Sequence, residues 1–140
     1  MSQATFSAAL HAVLGGRTPP PAFQQRLDTL TRVAQSLERE LTAGPPPGQS
    51  VDLHLSVEPG HNVNQGQQFN VACRIPSRHF NTVLFRAYIP DQGDPVHFDF
   101  YGEQMVVANG DKEMEDRVLD FVRNPDVVNR LLALRQMATR

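Results

Sequence analysis

Between residues 21 and 43, apolar residues recur at alternating intervals of four and three positions. This spacing places them on one side of a helix and corresponds to the a and d positions of nearly three heptads. Gly44 and the prolines at 45–47 end the pattern, because glycine favours a helix C-terminus and proline cannot continue a helix. The residues of this seam are Phe23, Leu27, Leu30, Ala34, Leu37 and Leu41.

Two interpretations of the seam differ in what covers it. In the first, the helix lies across a sheet of its own chain. In the second, another copy of the chain covers it, in a homodimeric coiled coil. Because sustained coiled coils extend over about three to four heptads or more, the sequence favours packing within the chain. A dimer would be formed through Phe23, Leu27, Leu30, Leu37 and Leu41.

Strict alternation of apolar and polar residues predicts two half-buried strands at 51–57 and 69–75. Their antiparallel pairing is set by matching the two apolar faces, since a slip of one residue would turn every apolar side chain toward water. The segment 58–68 between them is then a long polar loop. The expected pairs are Val57 with Phe69, Leu53 with Cys73 and Asp52 with Arg74.

The segment 96–101, Val-His-Phe-Asp-Phe-Tyr, is also predicted to be a strand. Side chains alternate across a strand, so His97 and Asp99 share one face and Phe98 and Phe100 share the other. The segment therefore holds both a strong core signal and an acid–base pair on opposite faces.

This strand can be paired on both sides, with a strand at 82–89 and with another at 104–108 that follows a predicted turn at 102–103. It is therefore expected to be the central strand. On one side the expected pairs are Phe85 with Phe100, Ala87 with Phe98, Tyr88 with His97 and Arg86 with Asp99. On the other side they are Phe100 with Met105 and Phe98 with Val107.

Two helices are predicted after the sheet. The first begins near Asp111, where carboxylates favour the positive end of the helix dipole, and the second begins with Asn124 as N-cap and Pro125 in the first turn. The residues expected to face inward are Met114, Val118, Phe121 and Val122 in the first helix and Val128, Leu131, Leu132 and Met137 in the second.

These elements predict an α+β fold with N-terminal helices, a five-stranded antiparallel meander and two C-terminal helices. Residues 1–20 are expected to form an arm, with a short helix and a Pro-rich connector, and residues 21–140 a single α+β domain. The short helix would place Phe6, Leu10, Val13 and Leu14 on one face.

The predicted first long helix ends in Arg39-Glu40-Leu41 and is followed by the run Pro45-Pro46-Pro47-Gly48. The antiparallel meander and the C-terminal helices come after this run. This order resembles that of the ubiquitin-conjugating and RWD folds, over about residues 21–138. The conjugating enzymes carry a cysteine after the sheet, whereas this chain has none there. The resemblance therefore implies a non-catalytic binding domain.

Composition narrows the function classes. A formal net charge of −2, with arginines scattered along the chain, argues against nucleic acid as a partner. Cys73 is the single cysteine, which excludes an internal disulfide and a multi-cysteine zinc site. No apolar run is long enough to cross a membrane, and the first residues lack a basic segment typical of a secretory signal. A cytoplasmic protein without membrane contact and without a cofactor is expected.

A weak alternative hypothesis is a catalytic or metal-binding cluster of His97, Asp99 and His54. Imidazole and carboxylate groups can act as general base and orienting group, or bind a divalent metal. Cross-strand pairing offers a structural explanation for both carboxylates near these histidines, since Arg86 would face Asp99 and Arg74 would face Asp52. No catalytic residue and no metal ligand is therefore assigned.

Binding residues are expected in two turns. The loop 58–68 is long enough to be functional and has a polar centre, and the turn at 76–81 carries a cation and an imidazole. The candidate binding residues are His61, Asn62, Asn64, Gln65, Arg78 and His79.

The leading functional hypothesis is a non-enzymatic protein-interaction module of an adaptor, immunity-like or chaperone-like kind, which binds another protein. A homodimer through the heptad helix is an additional hypothesis. The alternatives are a small His/Asp-based or metal-dependent hydrolase and a small-ligand-binding domain.

Overall fold

The computed structural model describes residues 20–63, 65–101 and 105–140, and only the backbone of residues 62 and 63. In chain order, its elements are α1 (Pro21–Thr42), β1 (His54–Val63), β2 (Gly66–Ile75), a 3₁₀ turn (Pro76–Arg78), β3 (Phe80–Pro90), β4 (Val96–Asp99), β5 (Val106–Ala108), α2 (Asp111–Arg123) and α3 (Pro125–Ala138). The expected α+β class is confirmed. The predicted helix at 5–14, most of the arm, and the turn at 102–103 lie outside the described residues.

The helix α1 packs on its own chain. Pro21 occupies its first turn, where the missing backbone N–H removes no helical hydrogen bond. Leu30, Ala34 and Leu41 are buried, and Phe23, Leu27 and Leu37 are partly buried against the same core. The seam is thus used within the chain, as the first interpretation predicts.

The five strands form one antiparallel meander in the order β1-β2-β3-β4-β5. The prediction that 96–101 is the central strand is wrong, because β3 occupies the middle and β4 spans only four residues. The strand β3 runs over 11 residues and pairs along its length with β2. Pairing on both sides identified β4 as an interior strand, but a short interior strand need not be the centre of the sheet.

The predicted register between β3 and β4 is confirmed by three pairs: Arg86 with Asp99, Ala87 with Phe98 and Tyr88 with His97. The fourth predicted pair, Phe85 with Phe100, is not a strand pair, because β4 ends at Asp99, although the two ring centroids lie 5.3 Å apart.

The predicted register between β1 and β2 is wrong by two residues. Val57 lies opposite Val71, and Cys73 lies opposite Leu55. A shift of two residues keeps every side chain on its predicted face, so the apolar pattern cannot distinguish the two registers. The connection decides between them, because the hairpin closes tightly between Val63 and Gly66.

The prediction of a long loop at 58–68 is also wrong. Both strands extend through this segment, with an irregularity between Pro59 and Asn62. Gln65, at the hairpin end, has a left-handed φ of 64°. The strand β1 includes Pro59, which an edge strand tolerates because its N–H side can face away from the sheet.

The start of the predicted first strand pairs with the end of the chain. Val51 forms a bridge with Thr139, and the N–H of Asp52 donates to the carbonyl of Ala138 at 2.9 Å. The pairing ties the described C-terminus to the entry of β1 and leaves β1 to begin at His54. Leu53 is buried beside it.

The predicted register between β4 and β5 is wrong by one residue, because Phe98 lies opposite Val106. A one-residue slip changes the face, and Met105 and Val107 are accordingly 59% and 40% exposed. The strand β4 ends at Asp99, and Tyr101 has a left-handed φ of 52°.

The two C-terminal helices follow the prediction at their ends. Asn124 accepts a hydrogen bond from the N–H of Asp126 at 2.9 Å, which is the N-cap contact expected before Pro125. In α3, however, Leu131, Leu134 and Ala138 are buried. Val128 and Leu132, predicted to face inward, are 37% and 57% exposed.

The core lies between one face of the sheet and the three described helices. The ring of Phe121 in α2 stacks on Phe100 with centroids 4.4 Å apart, and it meets Phe85 at 5.5 Å. At the other end, Phe23 in α1 lies against Phe69 at 6.1 Å. In the described part of the chain, no helix combines the length and apolar character needed to cross a membrane.

Candidate binding surface on the open sheet face

The second face of the sheet carries no helix among the described residues. Phe69, Val71, Phe85, Ala87 and Phe98 point into the core, so their neighbours in each strand point the other way. We call this second surface the open face. Its half-buried side chains are Glu58, Gln68, Asn70, Arg86, Tyr88, His97 and Asp99.

The register aligns these side chains in two rows across the sheet. In the first row, Glu58, Asn70, Arg86 and Asp99 lie directly opposite one another on β1 to β4. The second row, two residues along, consists of Gln68, Tyr88, His97 and Val107 on β2 to β5. With neighbouring strands about 4.8 Å apart, each row spans about 14 Å.

A cavity of about 400 Å³ opens on this face near the β1–β2 hairpin. It is lined by Pro59, Gly60, His61, Gln68, Asn70 and Arg86. Its volume lies within the range of small-molecule sites, and amide, imidazole and guanidinium groups converge on it. The cavity is therefore polar, with Arg86 as its permanent cation.

Two contacts hold the Arg86 guanidinium. Its Nε donates to Oδ1 of Asn70 at 3.1 Å, and its central carbon lies 5.4 Å from the ring centroid of Tyr101. The Asp99 carboxylate, opposite Arg86 in the register, accepts from the backbone N–H of Tyr101 at 3.0 Å. Among the described residues, Arg86 and Asp99 form no ion pair within 4.0 Å.

The predicted binding residues lie at opposite ends of the sheet. His61 lines the cavity, and Gln65 lies at the hairpin end beyond it. Asn62 belongs to β1, whereas Asn64 lies outside the described residues. Arg78 and His79 lie at the far end of β2, about 30 Å away along a ten-residue strand. Arg78 donates there to the carbonyl of Met137 at 3.2 Å.

The three residues of the hydrolase hypothesis are not brought together. His97 contacts the ring of Tyr88 edge to face, with centroids 6.0 Å apart. His54, on β1, is separated from β4 by three strand spacings, about 14 Å, and lies about 20 Å further along the sheet. Only His97 and Asp99 remain neighbours on one strand.

His54 and Asp52 form their own pair, with Nε2 and Oδ1 3.0 Å apart. The expected contact of Asp52 with Arg74 is wrong, since Arg74 pairs with Glu58. Oδ2 of Asp52 accepts from the N–H of Ser77 at 2.9 Å. The Ser77 hydrogen bond, followed by the one from His54, lowers the pKa of Asp52. The hydrogen bond from Ser77 to Asp52 thus stabilises the turn after β2.

Cys73 is buried, as its apolar neighbours predicted. Burial, the main cause, raises the pKa of its thiol to about 11. Since the thiolate is the nucleophile, a thiol with this pKa is inert near neutral pH.

A second cavity, of about 410 Å³, lies between β5 and α2. It is lined by Phe100, Val106, Val107, Arg117, Asp120 and Phe121. The Nε of Arg117 reaches across its edge and donates to the carbonyl of Val107 at 3.1 Å. This contact occupies one backbone carbonyl of the edge strand β5.

Within residues 20–63, 65–101 and 105–140, no group of three or more His, Cys, Asp or Glu side chains is placed to hold a metal ion. Comparisons with protein-family models, curated proteins and solved structures found no significant match to this chain. In its described residues the chain has an α+β fold whose helices lie on one face of the sheet.

Sequence reasoning missed the cavity, although part of its signal was present. Alternation alone puts Asn70 and Arg86 on the polar side of their strands. Their contact also requires the register between β2 and β3, which was not predicted. His61 was selected as a loop residue and enters the cavity as a strand residue.

Proposed function

We propose that this chain is a non-enzymatic protein-interaction module that binds another protein through its open face. The observation that carries the proposal is the one-sided packing of the described helices, which leaves two aligned rows of hydrogen-bonding side chains accessible. Charged, amide and aromatic groups in such an arrangement suit a polar protein interface. A cytoplasmic location is part of the proposal and is compatible with a single unpaired cysteine.

The packing of α1 bears on which surface is used. Most of its seam is occupied by the chain's own core, so little apolar area is left there for a second copy. The three residues of the hydrolase alternative are likewise not brought together, because His54 lies far from His97 and Asp99. Small-ligand binding is the second candidate, and the polar cavity of about 400 Å³ is the observation that favours it.

Site-specific photo-crosslinking in the native host tests the proposal. A photoreactive phenylalanine replaces His97 on the open face or, as a control, Leu132 on the helical side, which is 57% exposed. We expect a discrete adduct from position 97 and none of that size from position 132. Excess unlabelled wild-type protein should compete with the adduct. Equal adducts from both positions, or adducts from position 132 alone, would contradict the proposal.

A further inference from the structure

The cavity on the open face contains a preformed anion-binding group. Two contacts of Arg86, to Asn70 and to the ring of Tyr101, restrict the position of its guanidinium. Among the described residues, neither terminal amino group of Arg86 has a hydrogen-bond partner, since its one such bond uses Nε. An arginine held in this way presents two parallel N–H donors, which match the two oxygens of a carboxylate.

The remaining lining groups complement such a ligand. Gln68 and Asn70 carry amides, and His61 carries an imidazole, all of which can donate to an oxygen. Because Oδ1 of Asn70 already accepts from Arg86, its NH₂ group is the part left to donate outward. The cavity is therefore rich in donors around one cation.

Neighbouring charges limit the charge of the ligand. Both ends of the first row of the open face are carboxylates. Glu58 lies opposite Asn70, and Asp99 lies opposite Arg86. Glu58 is compensated by Arg74, with which it forms an ion pair. The carboxyl group of Asp99 accepts from the backbone N–H of Tyr101 and lies on the strand next to Arg86. A singly charged anion is thus favoured over a doubly charged phosphate.

We infer that this cavity receives the carboxylate of an Asp or Glu side chain of the partner protein. The inference rests on the proposed function, which supplies the partner. A carboxylate fills only part of a cavity of about 400 Å³, and the adjoining rows of the open face offer hydrogen bonds to the chain that carries it. Arg86 is the anchor, and Asn70 and Tyr101 position it.

The test uses the full chain labelled with ¹⁵N and follows the side-chain N–H signals of its arginines. The probe is N-acetyl-glutamate N-methylamide, a single acidic residue with a capped backbone, and its glutamine counterpart is the neutral control. We expect saturable shifts of the Arg86 and Asn70 side-chain signals with the acidic probe only. Arg74, on the same face but paired with Glu58, serves as the internal reference and should not shift.

Substitutions of Arg86 test whether binding requires its planar guanidinium group. Arg86→Gln should weaken binding of the acidic probe about tenfold or more, and Arg86→Lys, which keeps the charge, should weaken it by several-fold. Arg32→Gln, which removes an exposed arginine of α1 that pairs with Glu115, should change it less than about twofold. Well-dispersed amide spectra for each variant establish that it is folded. Equal binding of both probes, or no effect of Arg86→Gln, would overturn the inference.

Two further ligands distinguish the source of the anion. If acetate binds as tightly as the acidic probe, the site is one for small carboxylates and the partner's side chain is excluded. If inorganic phosphate binds more tightly than the acidic probe, the site is a phosphate site and the inference fails.

The inference and the proposed function can fail separately. If the position-97 adduct persists in Arg86→Gln protein and the titration shows no binding, the cavity plays no part and the proposed function stands. If the acidic probe binds but no adduct forms at position 97, the proposed function fails. The inference that the cavity receives a carboxylate of a partner protein then fails as well. Loss of the adduct in Arg86→Gln protein, together with probe binding, supports both.

Discussion

Arg26 is the residue with the densest set of charged contacts outside the open face. Its side chain is 12% exposed, and it forms a two-pronged ion pair with Asp94, with both N–O distances 3.0 Å. A third bond, of 2.9 Å, joins it to Asp111 at the start of α2. These bonds connect α1 to the β3–β4 loop and to the first turn of α2. The hydrogen bond to Asp94 is the main cause that raises the pKa of Arg26.

Arg26→Met is expected to lower the free energy of unfolding by about 2 kcal/mol, because charge-assisted hydrogen bonds are lost and two carboxylates are left without their cation. Urea denaturation at neutral pH measures the change. Arg32→Met is the matched control on the same helix. Its pair with Glu115 is longer, 3.4 Å, and more exposed, so a change within about 0.5 kcal/mol is expected. Equal effects of the two substitutions would contradict this role for Arg26.

At the scale of elements, the edges of the sheet are protected by side chains from helices. Oε1 of Glu38 in α1 accepts from the N–H of Leu55 on the edge strand β1 at 2.7 Å. Arg117 in α2 covers a carbonyl of the other edge strand, β5. Occupied edge groups disfavour pairing with a further strand. Each edge strand thus has at least one backbone group occupied by a helix side chain.

The packing of α1 leads to a prediction with a matched pair of substitutions. Leu30→Ala should destabilise the protein by about 3 kcal/mol, because it leaves a cavity where the side chain is 1% exposed. Leu132→Ala, on the exposed side of α3, should change stability by less than about 0.5 kcal/mol. Chemical denaturation gives both values. If Leu30→Ala instead halved the mass measured by light scattering, the seam would be an intermolecular one.

At the scale of the whole molecule, carboxylates with lowered pKa values make stability depend on acidity. The hydrogen bond from Arg26, the largest cause, lowers the pKa of Asp94 below its ordinary value of 3.8. Burial would raise the pKa of Asp111, but hydrogen bonds from Thr29 and Gln25, together with Arg26, lower it overall. In both cases the unfolded chain binds protons more readily than the folded one.

The contribution of Asp94 is therefore complete above pH 3.8 and is lost as the pH falls through its lower folded-state pKa. Asp94→Asn should be destabilised most near neutral pH, and its deficit relative to wild type should shrink as the pH falls below that value. Denaturation curves over a range of pH measure the difference. Asp91→Asn, an exposed change in the same loop, should stay within about 0.5 kcal/mol of wild type throughout. A deficit that grew on acidification would contradict the assignment.

Local pattern alone identified α1 and the core-facing side of β4. The spacing of Leu30, Ala34 and Leu41 identified α1, and the alternation in 96–101 identified which side chains of β4 face the core. The pairing of β4 with β3 also followed, because matching Phe98 to Ala87 simultaneously matched the polar residues of the other face.

Tertiary structure decided what local pattern leaves equivalent. Registers of β1 that differ by two residues present the same faces, and the closure at Val63 and Gly66 selects one only together with the irregularity between Pro59 and Asn62. The candidate site depends on such choices: the cavity requires Asn70 on β2 to meet Arg86 on β3, sixteen residues away. Alternation in the sequence assigns a side chain to a face, but its neighbours on that face are set by strand pairing.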